Sequence, residues 1–168
     1  MLSASNAPGT NRVLPSRLWR HPVHFVALGF GSGLLPKAPG TFGTMAAVPL
    51  CLALKNLPPG IYLLVVGGAF AIGVWVCAYT AQRLGDKDHP AIVWDEIVGY
   101  LATLVWIPIE VWTVIVGFVL FRIFDILKPW PVGLIDRTLT GGLGIMTDDL
   151  AAAVCANLVL QVLLWVVA

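Results

Sequence analysis

Apolar residues occupy this chain in long blocks, and short stretches of glycine, proline and charge separate them. The clearest block, residues 61–82, is some 22 residues long and reads as a transmembrane helix, since about 20 apolar residues cross a bilayer core. A second block, 150–168, supplies 19 residues for a last span. Residues 42–55 predict a helix capped by Thr41 or Thr44, and NLPPG (56–60) predicts a turn. Residues 22–35 are apolar but short and broken by glycine, which suits an interfacial or re-entrant piece.

The stretch 91–127 poses a choice between one helix and two. A continuous helix of 37 residues would run roughly 55 Å, far more than a ~30 Å hydrocarbon core needs. Pro108 supplies a break, and the segments 91–107 and 111–127, about 25 Å each, nearly cross as a hairpin. Five helices that alternate direction then place residues 1–41, 83–90 and 128–149 on one side. Arg12, Arg17, Arg20, Lys37, Arg83, Lys87, Arg122, Lys128 and Arg137 fall on that side, with only Lys55 opposite. A bias of nine to one marks the side as cytoplasmic.

Composition agrees. Of the 168 residues 58% are hydrophobic and 11% charged. A soluble domain carries roughly a quarter charged residues, so this chain cannot cover its own surface. The expected fold is all-α: a polytopic membrane bundle of about four to five membrane helices, with a polar site on its cytoplasmic face. Residues 1–20 form a basic lead without the apolar core of a signal peptide, and 21–168 form one membrane-embedded domain. The net charge of +1 gives no reason to expect nucleic-acid binding. Cys51, Cys77 and Cys155, odd in number and set in apolar runs, read as small hydrophobes. Cys77 and Arg83 share the C-x5-R spacing of cysteine phosphatases, but the intervening residues lack glycine and continue a helix. Most tryptophans read as interfacial anchors, Trp75 as a packed mid-span residue, and His21, His24 and His89 as surface residues.

The acids carry the chemistry. Eight of nine share the cytoplasmic side, and only Glu110 lies opposite. Asp95, Glu96 and Asp125 stand inside apolar helices, where a carboxylate costs a few kcal/mol unless it finds a partner. Arg122 and Lys128, each three residues from Asp125, are candidate partners if the helix persists, and so is a hard cation. Mg2+ prefers one or two carboxylates with waters and phosphate oxygens. An ion-pair network that fixes helix register is the competing reading for any single acid. Lys37, within the proline- and glycine-rich LPKAPGTFGT (35–44), suits an anion cradle or an ordinary turn; the loop is not a Walker A motif. In GGLGIMTDD (141–149), Asp148 and Asp149 fit the start of the last helix.

Four fragments carry a resemblance that covers nearly the whole chain after about residue 20: GFGSGLLPKAPGTFGT (29–44), IVWDEIVG (92–99), FRIFDILKPWP (121–131) and GGLGIMTDD (141–149). In order and spacing they resemble the phosphatidylglycerophosphatase A family of integral membrane enzymes. The resemblance implies Mg2+-dependent hydrolysis of the terminal phosphomonoester of phosphatidylglycerophosphate, a membrane phospholipid, at the cytoplasmic face of a bacterial inner membrane. It brings the acids and bases into named roles. Asp95, Glu96, Asp148 and Asp149 are expected as Mg2+ ligands, with Asp125 a further ligand or general base. Lys37, Arg122 and Lys128 would neutralise phosphate oxygens, and Thr41 and Thr44 would donate to them. Water and a carboxylate both stand as nucleophiles, and no oligomeric state is specified. A small transporter or cation channel is the rival reading; it requires acids spread through the membrane depth.

Overall fold

A computed structural model describes residues 20–86 and 89–167. Among these the fold is all-helical: α1 (Pro22–Ala27), a 3-10 segment (Gly29–Leu34), α2 (Pro39–Leu54), α3 (Pro59–Leu84), α4 (Trp94–Thr103), α5 (Val111–Leu127), α6 (Val132–Thr138) and α7 (Gly141–Val167). Residues 1–19, which include Trp19 and most of the expected basic lead, lie outside the described residues with Lys87, Asp88 and Ala168.

Local chemistry explains several boundaries. Proline at the first turn of α2 and of α3 supplies the preset φ that a helix start tolerates. Gly85, at φ 68°, ends α3 by donating its N–H to carbonyls of the last turn. Helix α5 opens on a capping box, in which the Glu110 N–H meets the Thr113 hydroxyl at 2.9 Å. Neither Thr41 nor Thr44 caps α2; its N-cap is Ala38, in the left-handed region. The Thr44 hydroxyl instead donates to the Gly40 carbonyl one turn back.

Two expected spans change more. The segment 91–107 is not a near-spanning helix: α4 covers only Trp94–Thr103. Ten residues rise about 15 Å, half of a hydrocarbon core. The interruption at Pro108 is real but begins four residues earlier, at Leu104. The last helix is longer than expected, because GGLGIMTDD is helical from Gly141 onward. Asp148 and Asp149 therefore lie two turns inside α7 and not at its start.

Helix α7 forms the centre of the bundle, packing on α3, α4, α5 and α6. Ala152, Ala153, Ala156 and Leu160 of α7 are fully buried, and so are Tyr100 of α4 and Phe121 of α5. Gly99 makes the close approach possible. A Cβ there would stand 2.8 Å from the Phe121 ring and 3.2 Å from Asp149 Cβ. Small residues of this kind draw helices together where no hydrophobic effect separates helix from solvent.

The outer surface is apolar. Helices α3 and α7 are long and apolar enough to cross a membrane, and only 28% of each apolar window is buried. The core helix of a soluble protein would be mostly covered, so this exposure points to membrane association. Leu64, Ile72, Leu158, Val162 and Val166 point outward. So does Trp75, 59% exposed, which corrects the expectation that it packs mid-span. It stacks on Tyr79 at 6.1 Å, a pairing suited to a bilayer boundary. His24 is also corrected from surface to core, being buried with Nδ1 2.9 Å from the Thr80 hydroxyl. Burial, then neighbouring His21 and Arg83, lower its pKa, so the ring is neutral at pH 7.

Candidate metal and phosphate site

A cavity of about 340 Å³ opens where α4 begins. Its lining includes Asp95 and Glu96 from α4, Asp125 from α5, Asp136 from α6, and Asp148 and Asp149 from α7. Lys128 and His89 complete the polar wall. Four separate helices thus deliver six carboxylates to one space. Such a concentration requires cations, and the fold supplies two side chains for the purpose.

Arg122 Nη1 donates to Asp125 Oδ2 at 2.6 Å and stands 4.0 Å from Glu96 Oε1. The pair with Asp125 is the one expected from spacing within a helix. Lys128 behaves differently. It is the αL C-cap of α5, so the helix does not persist to carry it back to Asp125. Its Nζ instead donates to Asp136 at 2.7 Å and Asp148 at 2.6 Å. Burial opposes the charge of Lys128, but hydrogen bonds from Nζ to these two carboxylates outweigh it and raise its pKa above the usual lysine value. Lys128 is held as a cation.

Asp95, Glu96 and Asp149 form a tighter group. One carboxylate oxygen from each lies within 4.8 Å of the others. Asp149 is 4% exposed and Asp148 8%. Asp95 Oδ1, Glu96 Oε2, Asp148 Oδ1 and Asp149 Oδ2 are buried without a protein hydrogen-bond partner. Leaving such atoms unmatched costs far more than their bonds would gain. A hard divalent cation accepts oxygen ligands of this type, and the cavity leaves room for waters and phosphate oxygens beside it. The residues fit Mg2+.

The proline- and glycine-rich loop approaches this group through its backbone. Gly40, buried in the first turn of α2, lies where any Cβ would overlap Glu96 Oε1 and stand 3.1 Å from the Arg122 guanidinium. The anticipated side chains of the loop do not line the cavity. Lys37 is exposed, Thr41 is partly buried, and Thr44 is fully buried with its hydroxyl committed to Gly40. The Thr44 hydroxyl is engaged by the Gly40 carbonyl, and Thr44 is not among the residues that line the cavity. His89 is corrected in the other direction, from surface residue to buried cavity wall, with Nδ1 accepting the Ala91 N–H at 3.2 Å. Its signal in the sequence was its place just before the helix that carries Asp95. Asp136 reaches the site from α6, the short helix that follows α5.

Comparison with known proteins gives a consistent result. The sequence model described as phosphatidylglycerophosphatase A matches residues 25–164. A phosphatidylglycerophosphatase A of Escherichia coli K12 is 47% identical over 149 residues, covering 88% of this chain and 87% of that protein. Its namesake from Haemophilus influenzae Rd is 43% identical, over 83% of this chain and 86% of its own length. A Bacteroides thetaiotaomicron relative, provisionally named a phosphatidylinositol-3-phosphatase, is 37% identical over 84% of this chain and 93% of its own. No solved structure matches the chain.

Proposed function

This chain belongs to the phosphatidylglycerophosphatase A family, and from that premise we propose that it hydrolyses the terminal phosphomonoester of phosphatidylglycerophosphate, releasing phosphatidylglycerol and phosphate. The observation that carries the reading is the group of Asp95, Glu96 and Asp149 at a polar cavity within an otherwise apolar bundle. These three carboxylates would hold Mg2+, with Asp148 at their edge. When bound, Mg2+ would offset phosphate charge and make water a stronger nucleophile.

The remaining polar groups position the reaction. Arg122, aimed by Asp125 and Glu96, provides planar donors for phosphate oxygens. Lys128 gives a fixed positive charge at the cavity wall, shared between Asp136 and Asp148 until phosphate competes for it. Asp125, bound to Arg122, serves better as its orienter than as a base. Lys37 and Thr41 remain candidates to meet the headgroup as it enters beside Gly40. Water bonds to phosphorus, the bond from phosphorus to the glycerol oxygen breaks, and that oxygen takes a proton.

A lipid substrate suits the surroundings. Leu34, Leu35 and Phe42 are exposed on the segment whose Gly40 faces Glu96, so an acyl chain meets apolar side chains next to the polar cavity. The bundle would cross a bacterial inner membrane several times, with α2 and α5 joining α3 and α7. The cavity end would face the cytoplasm, an orientation that the bias in basic residues supports. A transporter needs acids through the membrane depth, whereas the opposite end offers Lys55 and Glu110.

Purified protein in mixed micelles is expected to release phosphate from phosphatidylglycerophosphate, and a chelator is expected to stop release until Mg2+ is restored. Phosphatidylinositol 3-phosphate and water-soluble glycerol 3-phosphate serve as the comparison substrates. Preference for glycerol 3-phosphate would refute the lipid assignment, and release that survives chelation would refute the metal.

A further inference from the structure

Helix α4 ends among buried residues, with Leu101, Thr103, Leu104 and Val105 all covered by the bundle. In an apolar medium each of their carbonyls needs a donor. The fold supplies one for each carbonyl from Leu101 to Val105. Leu101 O accepts the Tyr62 hydroxyl at 2.9 Å. Ala102 O and Leu104 O accept backbone N–H groups of the following turn, at 3.2 and 3.1 Å. The last two acceptors, Thr103 O and Val105 O, share a single side chain. Asn157 Nδ2 donates to both, at 2.8 Å each, and Asn157 Oδ1 accepts from Gln161 at 2.6 Å. Both amide hydrogens are therefore used on the last residue of α4 and the turn that follows it.

The spacing gives this contact a further consequence. Asp95 lies close to Asp149, and Thr103 is bonded to Asn157, so α4 and α7 run parallel. Eight residues separate Asp95 from Thr103, and eight separate Asp149 from Asn157. At 1.5 Å per residue both intervals are about 12 Å. Fixing one end of the pair in register therefore fixes the other. We propose that Asn157 is a positioning residue: it pins the C-terminal end of α4 to α7 and so sets the register in which Asp95 and Glu96 meet Asp149. The proposal rests on the reading of those carboxylates as the metal site, and it assigns to the opposite end of α4 the task of holding them together. Asn157 touches neither the cavity nor its lining.

The test compares purified wild type, Asn157→Leu and Val66→Ala. Val66 is a buried residue of α3, and its truncation loosens the core without touching the pin. Mn2+ binding by electron paramagnetic resonance and amide hydrogen exchange of the metal-free protein are the two readouts. Asn157→Leu is expected to bind Mn2+ about tenfold more weakly, because a slip in register moves Asp95 and Glu96 away from Asp149, a loss at the low end of that for a ligand's supporting groups. It should also lose exchange protection through 97–103. Val66→Ala should melt at a lower temperature yet keep wild-type Mn2+ affinity. If Asn157→Leu does not fold, Asn157→Gln, which keeps the amide but reaches one methylene further, should show the same losses in smaller degree. Unchanged affinity and protection in the Asn157 variants would overturn the pin. Wild type that binds no Mn2+ would overturn the metal reading instead, and protection over 97–103 would then decide the pin alone.

Discussion

Asp149→Asn is expected to lower phosphate release roughly a thousandfold, because it removes the charge of one of the three carboxylates proposed to hold Mg2+. The replacement is nearly isosteric. Asp149 is 4% exposed and its Oδ2 has no protein partner, so the change breaks no hydrogen bond through that oxygen. It also relieves repulsion with Asp95 and Glu96. Helicity and melting temperature should therefore match or exceed wild type while turnover collapses. Loss of folding together with activity would mean that Asp149 is structural. Near-normal turnover would remove it from the catalytic group.

The second large effect is expected at Gly40. Valine there would place a branched Cβ into Glu96 Oε1 and within 3.2 Å of both terminal nitrogens of Arg122. Neither group can withdraw cheaply, since Arg122 is tied to Asp125 and Glu96 belongs to the carboxylate group with Asp95 and Asp149. A displacement of about 1 Å at reacting groups costs on the order of a hundredfold in rate, and Gly40→Val should lose about that much. Gly40→Ala should fall in the same direction by less. Gly67→Ala on α3 is the control, because a Cβ at Gly67 meets nothing within 4 Å. A Gly40→Val protein with full turnover would show that the start of α2 is free to move away from the site.

These two positions show how unevenly the sequence revealed the site. Asp149 was identifiable at once, because a carboxylate beside an apolar helix demands a reason. Helix α5 could be read to its ends, Val111 and Leu127, from an apolar run bounded by Glu110 and by Lys128–Pro129. The glycines misled. In GGLGIMTDD they suggested a loop, whereas in this bundle they are helical positions that let α7 lie against α3; Gly142 faces the Val74 carbonyl directly. Turn chemistry and close helix packing use the same residue, and local sequence does not separate them.

Long-range partners were hidden for a different reason. Lys128 looked like a neighbour of Asp125 by helical spacing, but one αL residue turned it toward Asp148, twenty positions along the chain. The carbonyls at the early end of α4 are met by Asn157, more than fifty residues away. His24 entered the core through Thr80 on another helix. In each case the hydrophobic pattern placed the helices, while the polar bonds between them set depth and register. The gathering of acids on one face survived these corrections, because it depends on helix direction and not on helix length.

The most direct test is anomalous diffraction from crystals soaked in Mn2+ in place of Mg2+. The account predicts a peak bounded by Asp95, Glu96 and Asp149, which disappears in Asp149→Asn. A peak confined to other residues, or none at Mn2+ concentrations that support turnover, would contradict it.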